Sequence, residues 1–213
     1  MSSPIRLVVF DLGRVLVRIC DSWKHASQLA KLQNFPDMSD AARTAMRELV
    51  FTVEKGQMTQ EQFCSDAAKV LGVSPWDVAA ISDIYLLDVF PGVPLLLEEL
   101  FCAGCQTACL SNTNASHWQQ MSQPGNCCSV PFDLLTHHFG SHLIGLRKPD
   151  PKIYEHVEQQ TNLAGPQIVF FDDMLENVQA ARQRGWWAEQ ILPDENPVEQ
   201  MRRHLQRLHV LRD

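Results

Sequence analysis

The sequence predicts an α/β fold, a doubly wound parallel sheet with an inserted α-helical cap domain. Apolar runs with the length of buried strands occur at Leu7–Phe10, in QTACL and in QIVFF. Unbroken runs of this kind are typical of parallel strands whose two faces are both covered by helices. After the second run, strand and helix patterns alternate along the chain, which indicates right-handed crossovers. A long helical stretch between the first two runs predicts the cap.

The stretch between the first two strands carries four segments with apolar residues at helical spacing. The expected helix limits are the N-caps Ser39, Thr59 and Ser74 and the C-terminal stops Gly56 and Gly72. We expect no strand within this stretch. Residues 16–88 are therefore assigned to the helical cap, and residues 1–15 and 89–213 to the α/β core.

The rest of the core follows from the alternation of patterns. We expect strands in FDLLTHH, IVFF and WWAEQIL, and helices in PLLLEELFCAG, ASHWQQM, PKIYEHVEQQ, LENVQAARQR and VEQMRRHLQRLH. Gly185 is expected to end the helix that precedes WWAEQIL. The pair Trp186-Trp187 is expected to pack against the last helix and not to stack on a substrate.

Size and charge narrow the class of protein. With 213 residues, the chain is long enough for one substantial core and a smaller accessory domain. Apolar residues make up 45% of the sequence and charged residues 20%, as in ordinary globular proteins. The net charge of −7, without a long basic run, argues against a nucleic-acid scaffold. No apolar stretch approaches the roughly 20 residues of a membrane-spanning helix.

The cysteines and the amino terminus indicate a cytoplasmic protein. Seven cysteines form no spacing pattern of a disulfide scaffold, and Cys102 and Cys105 have no second pair at zinc-ribbon spacing. We interpret those two as packing at the end of a helix near Gly104. The first strand begins too early for a signal peptide to precede it, so we expect reduced thiols and a cytoplasmic location. The oligomeric state stays open.

Each of the three apolar runs ends at polar groups that a reaction can use. Asp11 follows the first run, Ser111 and Asn112 follow the second, and Asp172-Asp173 follow the third. Because parallel sheets bind ligands at the carboxyl ends of their strands, these groups are expected in one crevice. Lys148, just before a predicted helix, adds a cation. The combination predicts a nucleophile, a phosphate clamp and a metal site.

Four motifs carry a resemblance to a known family. FDLGRVLV, LSNTN, GLRKPDPKIY and FFDDMLENVQAA resemble, in this order, the four motifs of the haloacid dehalogenase-like (HAD) hydrolase superfamily. EKGQMTQEQF and VFPGVPLLLEEL are similar to the subgroup with a helical cap between the first two motifs. The DLG form of the first motif resembles bacterial α-glucose-1-phosphate phosphatases. The resemblance implies a Rossmann-like core and a phosphatase for a small phosphorylated metabolite, for example a sugar phosphate.

The resemblance also assigns roles in phosphoryl transfer. Asp11 would attack phosphorus to form an aspartyl-phosphate, which splits one difficult displacement into two easier ones. Ser111 and the Asn112 amide would bind phosphoryl oxygens at a strand-to-helix turn. Lys148 would neutralise the charge that develops on those oxygens and on Asp11.

A magnesium site is implied in the same way. Asp11, the Gly13 carbonyl and Asp173 would bind Mg²⁺ directly, with Asp172 beside them and Asn177 where the superfamily often has an acid. Clustered carboxylates repel one another and repel a phosphate dianion, and a cation resolves this conflict. Mg²⁺ accepts few carboxylates together with waters and the substrate phosphate.

Gly13 departs from the superfamily pattern. Most phosphatases of the superfamily have Asp at this position, which protonates the leaving oxygen and later activates water. Gly13 can do neither, and loss of such help costs about a hundred- to ten-thousand-fold in rate. We expect turnover to depend on leaving-group acidity, which favours an anomeric sugar phosphate, unless another residue, for example from the cap, supplies the proton.

Two further features have alternative interpretations. Arg14, at the entrance to the cap, either reaches a substrate anion or is an exposed loop residue. His137, His138 and His142 cluster near the third motif, and they would form either a pH-sensitive or metal-binding rim or a polar loop. We favour the polar loop because no acidic partner stands at ligand spacing.

Three functions are compatible with the motifs. A Mg²⁺-dependent phosphatase is favoured, with the cap choosing the substrate. A metal-free dehalogenase-type hydrolase with the same nucleophile is disfavoured, because the acidic pair would repel an anionic substrate. The third is a binding protein that has lost turnover through Gly13, against which Asp11, Ser111 and Lys148 argue.

Overall fold

The computed structural model describes residues 5–33, 35–163 and 165–212. Its strands are β1 (Leu7–Phe10), β2 (Val17–Ile19), β3 (Leu86–Val89), β4 (Gln106–Ser111), β5 (His137–Gly140), β6 (Ile168–Asp172) and β7 (Trp187–Gln190). Five of them form a parallel sheet in the order β5-β4-β1-β6-β7, and β2 and β3 form a separate antiparallel pair. The parallel sheet that the sequence predicts is therefore confirmed.

Helices cover both faces of this sheet. The helices are α1 (Trp23–Leu29), α2 (Asp40–Glu54), α3 (Gln60–Leu71), α4 (Pro75–Ile84), α5 (Val93–Cys102), α6 (Ala115–Ser122), α7 (Ser141–Ile144), α8 (Pro151–Thr161), α9 (Leu175–Gln183) and α10 (Pro197–Arg207). Apolar residues of α5 and α10 share one core cluster, and those of α8 and α9 share another. The two clusters lie on opposite faces of the sheet.

The central strand shows why the apolar runs predict this arrangement. All four residues of β1 are fully buried. Val8 and Phe10 belong to the cluster with α5 and α10, whereas Leu7 and Val9 belong to the cluster with α8 and α9. Because successive side chains of a strand point to opposite faces, a strand covered on both sides needs apolar residues at every position.

The segment between β2 and β3 folds into the four predicted helices. They pack around a core of their own, which contains Met46, Phe63 and Ala67. The N-caps expected from the sequence are confirmed, because each capping side chain accepts a hydrogen bond from the backbone N–H three residues later. These caps are Ser39, Thr59 and Ser74. The helical insertion is therefore confirmed, while its limits at residues 16 and 88 stay a prediction.

The expectation that this stretch contains no strand is wrong. β2 and β3 pair in antiparallel fashion where the chain leaves and re-enters the core. Arg18 and Asp88 form an ion pair across the two strands, with Arg18 Nε 2.7 Å from Asp88 Oδ1. Both strands are too short for a clear alternation pattern, and β3 begins within the SPWDVAAISDIYLL segment that was assigned to a helix. Pairing across sixty-odd residues, not local propensity, makes them strands.

The strand predicted in FDLLTHH is misplaced. A 3₁₀ turn occupies Phe132–Leu134, and β5 begins only at His137. Leu135 is buried, and Phe132 and Leu134 pack against the same core cluster. The apolar residues that suggested a strand therefore contact the core without belonging to the sheet. The histidine segment is likewise not a polar loop, because two of its histidines lie in β5 and the third lies in α7.

Trp186 packs on the face of the sheet opposite to the last helix. Its ring meets Tyr154 edge-on at 5.4 Å between centroids, and its Nε1 donates a hydrogen bond to Glu158 at 2.8 Å. α10 belongs to the other core cluster. The expected contact of Trp186 with the last helix is therefore wrong, because this side chain, just before β7, packs against α8.

Within the described ranges, no helix combines the length and apolar character that crossing a membrane requires. The cytoplasmic location stays a prediction from the sequence.

Candidate active site

The carboxyl ends of three adjacent strands carry the predicted polar groups. Asp11 directly follows β1, Ser111 is the last residue of β4, and Asp172 is the last residue of β6. β1 lies between β4 and β6 in the sheet. One carboxylate oxygen each of Asp11, Asp172 and Asp173 lies within 4.8 Å of the others. The sheet thus brings together the side chains that the sequence predicted in one crevice.

Lys148 lies at the centre of this group and is almost completely buried. Its Nζ donates to the Leu110 carbonyl at 2.6 Å and lies 2.6 Å from Asp172 Oδ2 and 3.0 Å from Asp11 Oδ1. Burial by itself would lower the pKa of Lys148, but the charges of Asp11 and Asp172 raise it above its ordinary value. The lysine therefore stays charged in the interior.

Asn112 holds the backbone of Lys148 in place. The Lys148 N–H donates to Asn112 Oδ1 at 2.8 Å, and Asn112 Nδ2 donates to the Lys148 carbonyl at 3.0 Å. This reciprocal pair ties the loop after α7 to the end of β4. The Asn112 side chain therefore positions the lysine, in addition to the phosphate contact that its backbone amide was predicted to make.

Asp172 is fully buried and its two oxygens already have partners. Oδ2 accepts from Lys148, while Oδ1 accepts from the Met174 N–H at 2.8 Å and from Asn177 Nδ2 at 2.9 Å. A carboxylate with these contacts is a fixed partner of the lysine. Asn177, which the sequence placed near the metal site, orients Asp172.

Asp11 and Asp173 carry negative charge that the protein only partly compensates. Burial, together with the charges of Asp172 and Asp173, raises the pKa of Asp11 to about 7, although Lys148 acts in the opposite direction. Burial and the charge of Asp172 also raise the pKa of Asp173. The neighbouring carboxylates contribute to both shifts by repulsion, which a further cation would relieve.

The turn after β1 contains the Gly13 carbonyl, which was predicted as a metal ligand. Within it, the Arg14 N–H donates to the Val17 carbonyl, and the N–H groups of residues 15–17 donate to the Leu12 carbonyl. The Gly13 carbonyl accepts none of these hydrogen bonds. The donor set of two carboxylates and one carbonyl consists of oxygens, which are the ligands that Mg²⁺ prefers.

A cavity of about 240 Å³ lies above the carboxyl ends of the strands. Gly13, Ser111 and Asn112 line its floor. Most of its walls are apolar side chains, many of them from the helical insertion: Ile19, Trp23, Val50, Val53, Phe63, Ile81, Leu86 and Met121. The sequence showed these residues only as apolar positions of helices, so their convergence on one cavity was not predicted.

Arg14 lies on the other side of the acidic pair. Its Nε is 3.8 Å from Asp173 Oδ2 and its Nη2 is 3.9 Å from Asp21 Oδ1. The side chain is 39% exposed and lines a separate depression at the surface. The substrate contact predicted for Arg14 stays a prediction.

The cap and the core meet at contacts that sequence reasoning missed. Arg147 Nε donates to Glu54 Oε2 at 2.6 Å, and both side chains are largely buried. His117 Nε2 donates to the Ser82 carbonyl at 2.9 Å. In the sequence, Glu54 stands before a Lys-Gly pair and Arg147 stands before Lys148. Nothing in the local sequence indicates that Glu54 and Arg147 form a pair.

The chain belongs to the haloacid dehalogenase-like hydrolases, because residues 5–185 match the model of this family. The resemblance in the four motifs is thereby confirmed, and the protein is a hydrolase by family.

Relatives of known name or structure agree with this assignment. Sesquiterpene phosphatase AstK of Aspergillus oryzae is 37% identical over 187 residues, which are 87% of this chain and 89% of the relative. A HAD family enzyme of Bacteroides thetaiotaomicron superposes with a TM-score of 0.78 at 22% identity, over 93% of this chain and 99% of that chain. The same enzyme in complex with magnesium and inorganic phosphate gives a TM-score of 0.71 at 22% identity, over 90% and 96%.

Proposed function

We propose that this protein is a Mg²⁺-dependent phosphatase that hydrolyses the phosphate monoester of a small apolar alcohol through an aspartyl-phosphate intermediate. The observation that carries the proposal is the buried Lys148, which is 3.0 Å from Asp11 and is held by Asp172. A carboxylate nucleophile fixed beside a buried cation, at the edge of a cavity, suits attack on an anionic phosphoryl group.

Each residue at the strand ends has a role in this reaction. Asp11 attacks phosphorus, and the resulting aspartyl-phosphate is then hydrolysed by water. The Ser111 hydroxyl donates to a phosphoryl oxygen, with the Asn112 backbone amide beside it. Lys148 stabilises the charge on the phosphoryl oxygens. Asp172 keeps Lys148 charged and in position.

Asp11, Asp173 and the Gly13 carbonyl would hold Mg²⁺. The raised pKa values of the two carboxyls support this site, because a cation relieves the repulsion that raises them. When bound, Mg²⁺ supplies positive charge for the phosphate dianion near two carboxylates. Asp172 was also predicted at the metal, but we assign it to Lys148 because its oxygens are already occupied.

The apolar cavity indicates the chemical class of the alcohol. A sugar has several hydroxyl groups, and those that face the apolar walls would lose their water partners without gaining a hydrogen bond. A hydrocarbon group gains free energy from the same burial. The similarity to a sesquiterpene phosphatase supports an isoprenoid alcohol. We therefore favour a terpenoid phosphate over the sugar phosphate suggested by the first motif.

Phosphate release from two substrates tests this proposal. We expect kcat/KM for a sesquiterpene alcohol monophosphate to exceed that for glucose phosphate by at least about a hundredfold, with Mg²⁺ required for both. Trp23→Ala, which removes a cavity wall, should lower the first value about tenfold. Trp76→Ala is the matched control, since this cap tryptophan is 84% exposed. Equal turnover of both substrates would contradict the apolar assignment.

A metal-free hydrolase with the same nucleophile fits less well. Without a further cation, Asp11 and Asp173 would face an anionic substrate with Lys148 and the partly exposed Arg14 in compensation. A binding protein without turnover predicts no phosphate release in the same assay, and that result would refute the proposed reaction.

A further inference from the structure

The turn after the nucleophile provides no proton donor. Gly13 has no side chain, and a Cβ built at this position would lie 3.5 Å from Ile19 Cδ1, an apolar neighbour. The leaving alkoxide of an alkyl phosphate nevertheless needs a proton, and the attacking water must lose one. Some other group must exchange these protons if the protein hydrolyses alkyl phosphates.

The titratable side chains that line the cavity are candidates. Among the described residues around it, these are Glu54, Tyr85 and His117. His117 already uses Nε2 to donate to the Ser82 carbonyl, and burial lowers its pKa, which leaves it neutral. Burial raises the pKa of Tyr85, so its phenolate is too scarce near neutral pH to act as a base. Of the three candidates, Glu54 remains, and its side chain carries a carboxyl group.

Glu54 is held at the cap–core junction above the floor of the cavity. It is the last residue of α2, and its carbonyl accepts a hydrogen bond from Ser141 Oγ at 2.6 Å. Its Oε2 accepts from Arg147 Nε at 2.6 Å. The Arg147 guanidinium in turn lies 3.7 Å from the centre of the Phe51 ring. These contacts fix the carboxyl group beside the loop that carries Lys148.

Glu54 takes up a proton more readily than an exposed glutamate. Burial raises the pKa of its carboxyl, although the charges of Arg147 and Lys148 lower it. A group that is protonated in a fraction of the molecules and ionised in the rest can serve both as an acid and as a base. Arg147 stabilises the carboxylate that remains after proton donation.

We propose that Glu54 of the cap is the general acid and base that Gly13 cannot be; this role rests on the proposed phosphatase reaction. In the first step, Asp11 forms a bond to phosphorus, the bond from phosphorus to the leaving oxygen breaks, and Glu54 protonates that oxygen. In the second step, water attacks phosphorus and gives a proton to the Glu54 carboxylate. The bond from phosphorus to Asp11 then breaks, which restores Asp11 and the protonated Glu54.

Single-turnover rates of alcohol or nitrophenol release, which report the first step alone, test this role with two leaving groups in the Mg²⁺-loaded protein. The alkoxide of octyl phosphate is a poor leaving group and needs a proton. The nitrophenolate of para-nitrophenyl phosphate is a good leaving group and departs without one. With a proton donor present, we expect the wild-type rates for the two substrates to differ by less than about tenfold. If the wild-type rate for octyl phosphate is more than about a thousandfold below that for para-nitrophenyl phosphate, the assignment is overturned.

Glu54→Gln distinguishes proton transfer from a structural contact. The amide still accepts a hydrogen bond from Arg147 but cannot exchange a proton. We expect the rate for octyl phosphate to fall by at least about a hundredfold and that for para-nitrophenyl phosphate by less than about tenfold. Glu48→Gln is the matched control, because Glu48 lies in the same helix and is exposed. Equal losses with both substrates would show that Glu54 only positions the cap.

A second substitution tests whether the group removed in Glu54→Gln is a proton donor. Gly13→Asp restores the carboxyl group that the superfamily has, and the 3.5 Å contact with Ile19 is an ordinary van der Waals distance. In the Glu54→Gln background, Gly13→Asp should raise the rate for octyl phosphate at least about tenfold above that of Glu54→Gln alone. No recovery would overturn the assignment. Wild-type protein that releases phosphate from neither substrate would refute the proposed reaction itself.

Discussion

At Lys148, burial and charge act in opposite directions on one side chain. An isolated ammonium group in the interior would lose its proton, but Asp11 and Asp172 keep this one charged. Removing one partner from a buried ion pair costs about 3–5 kcal/mol, because the other charge is left without compensation. Replacing either aspartate alone would therefore destabilise the folded protein.

Asp11 is the residue on which the proposed covalent step depends. Asp11→Asn retains the size of the side chain but removes the nucleophile, so we expect phosphate release to fall by at least about a thousandfold. Circular dichroism should remain unchanged. Asp133→Asn, at an exposed aspartate in a turn away from the site, is the control and should keep its activity. Activity of more than a few per cent in Asp11→Asn would contradict covalent catalysis.

Among the elements, the end of α2 forms one of the contacts between the cap and the core. Gly56 follows this helix with a φ of +65°, and a Cβ at this position would lie 2.3 Å from the His142 carbonyl oxygen. Gly72, after α3, has a similar φ of +68°, but nothing lies within 4 Å of a Cβ there. The two glycines share a conformation and differ in their surroundings.

This difference predicts unequal effects of the same substitution. Gly72→Ala should cost about 1 kcal/mol of unfolding free energy, because a left-handed φ is unfavourable for alanine. Gly56→Ala should cost at least about 2 kcal/mol more, since the cap must also move away from the His142 backbone. We expect only Gly56→Ala to lower phosphatase activity as well. Denaturant unfolding of both variants measures the difference, and equal values would contradict the close contact.

α6 of the core contacts α4 of the cap through His117. The imidazole lies in the cap–core junction and donates to the Ser82 carbonyl. Its ring stacks on Tyr85 with 6.0 Å between centroids. Burial lowers the pKa of His117 below its ordinary value of 6.5, so the folded protein keeps it neutral.

The lowered pKa of His117 predicts a loss of stability in acid. Below its ordinary pKa of 6.5, the unfolded chain binds a proton at this histidine that the folded protein does not. The contribution of His117 to the free energy of unfolding should therefore fall as the pH decreases from about 7.5 to about 5. His117→Gln removes this contribution, so on going from about pH 7.5 to about pH 5 its Tm should change more favourably than that of the wild type. His138→Gln, at an exposed histidine, should not change the slope, and an unchanged slope in His117→Gln would refute the prediction.

For the whole molecule, the proposed cation links the active site to the stability of the fold. A ligand that binds only the folded state at a hundred times its Kd stabilises a protein by about 2.7 kcal/mol. For a chain of this size, such a gain raises Tm by about 5–10 °C. We expect this shift when Mg²⁺ is titrated into metal-free wild-type protein.

Substitution at the proposed ligand should remove most of this shift. Asp173→Ala deletes a carboxylate that faces the cluster, whereas Asp133→Ala deletes an exposed one. We expect the Mg²⁺-dependent rise in Tm to shrink in the first variant and to persist in the second. The same rise in both would place the cation elsewhere.

Local patterns were sufficient for the sheet and for the positions of its strand-end residues. The unbroken run at Leu7–Phe10 requires cover on both faces, and a parallel sheet places Asp11, Ser111 and Asp172 at one edge. N-caps and helical periodicity likewise located the helices of the insertion. Such features depend on residues close together in the sequence, so the sequence alone determined them.

The remaining features depend on contacts between distant residues. β2 and β3 are strands because they pair with each other, and Asp172 is a partner of Lys148 because burial brings them to 2.6 Å. The apolar cavity and the position of Glu54 beside Arg147 arise only where the cap meets the core. Pairing, burial and enclosure are properties of the folded chain, and they alone decided which residues line the cavity.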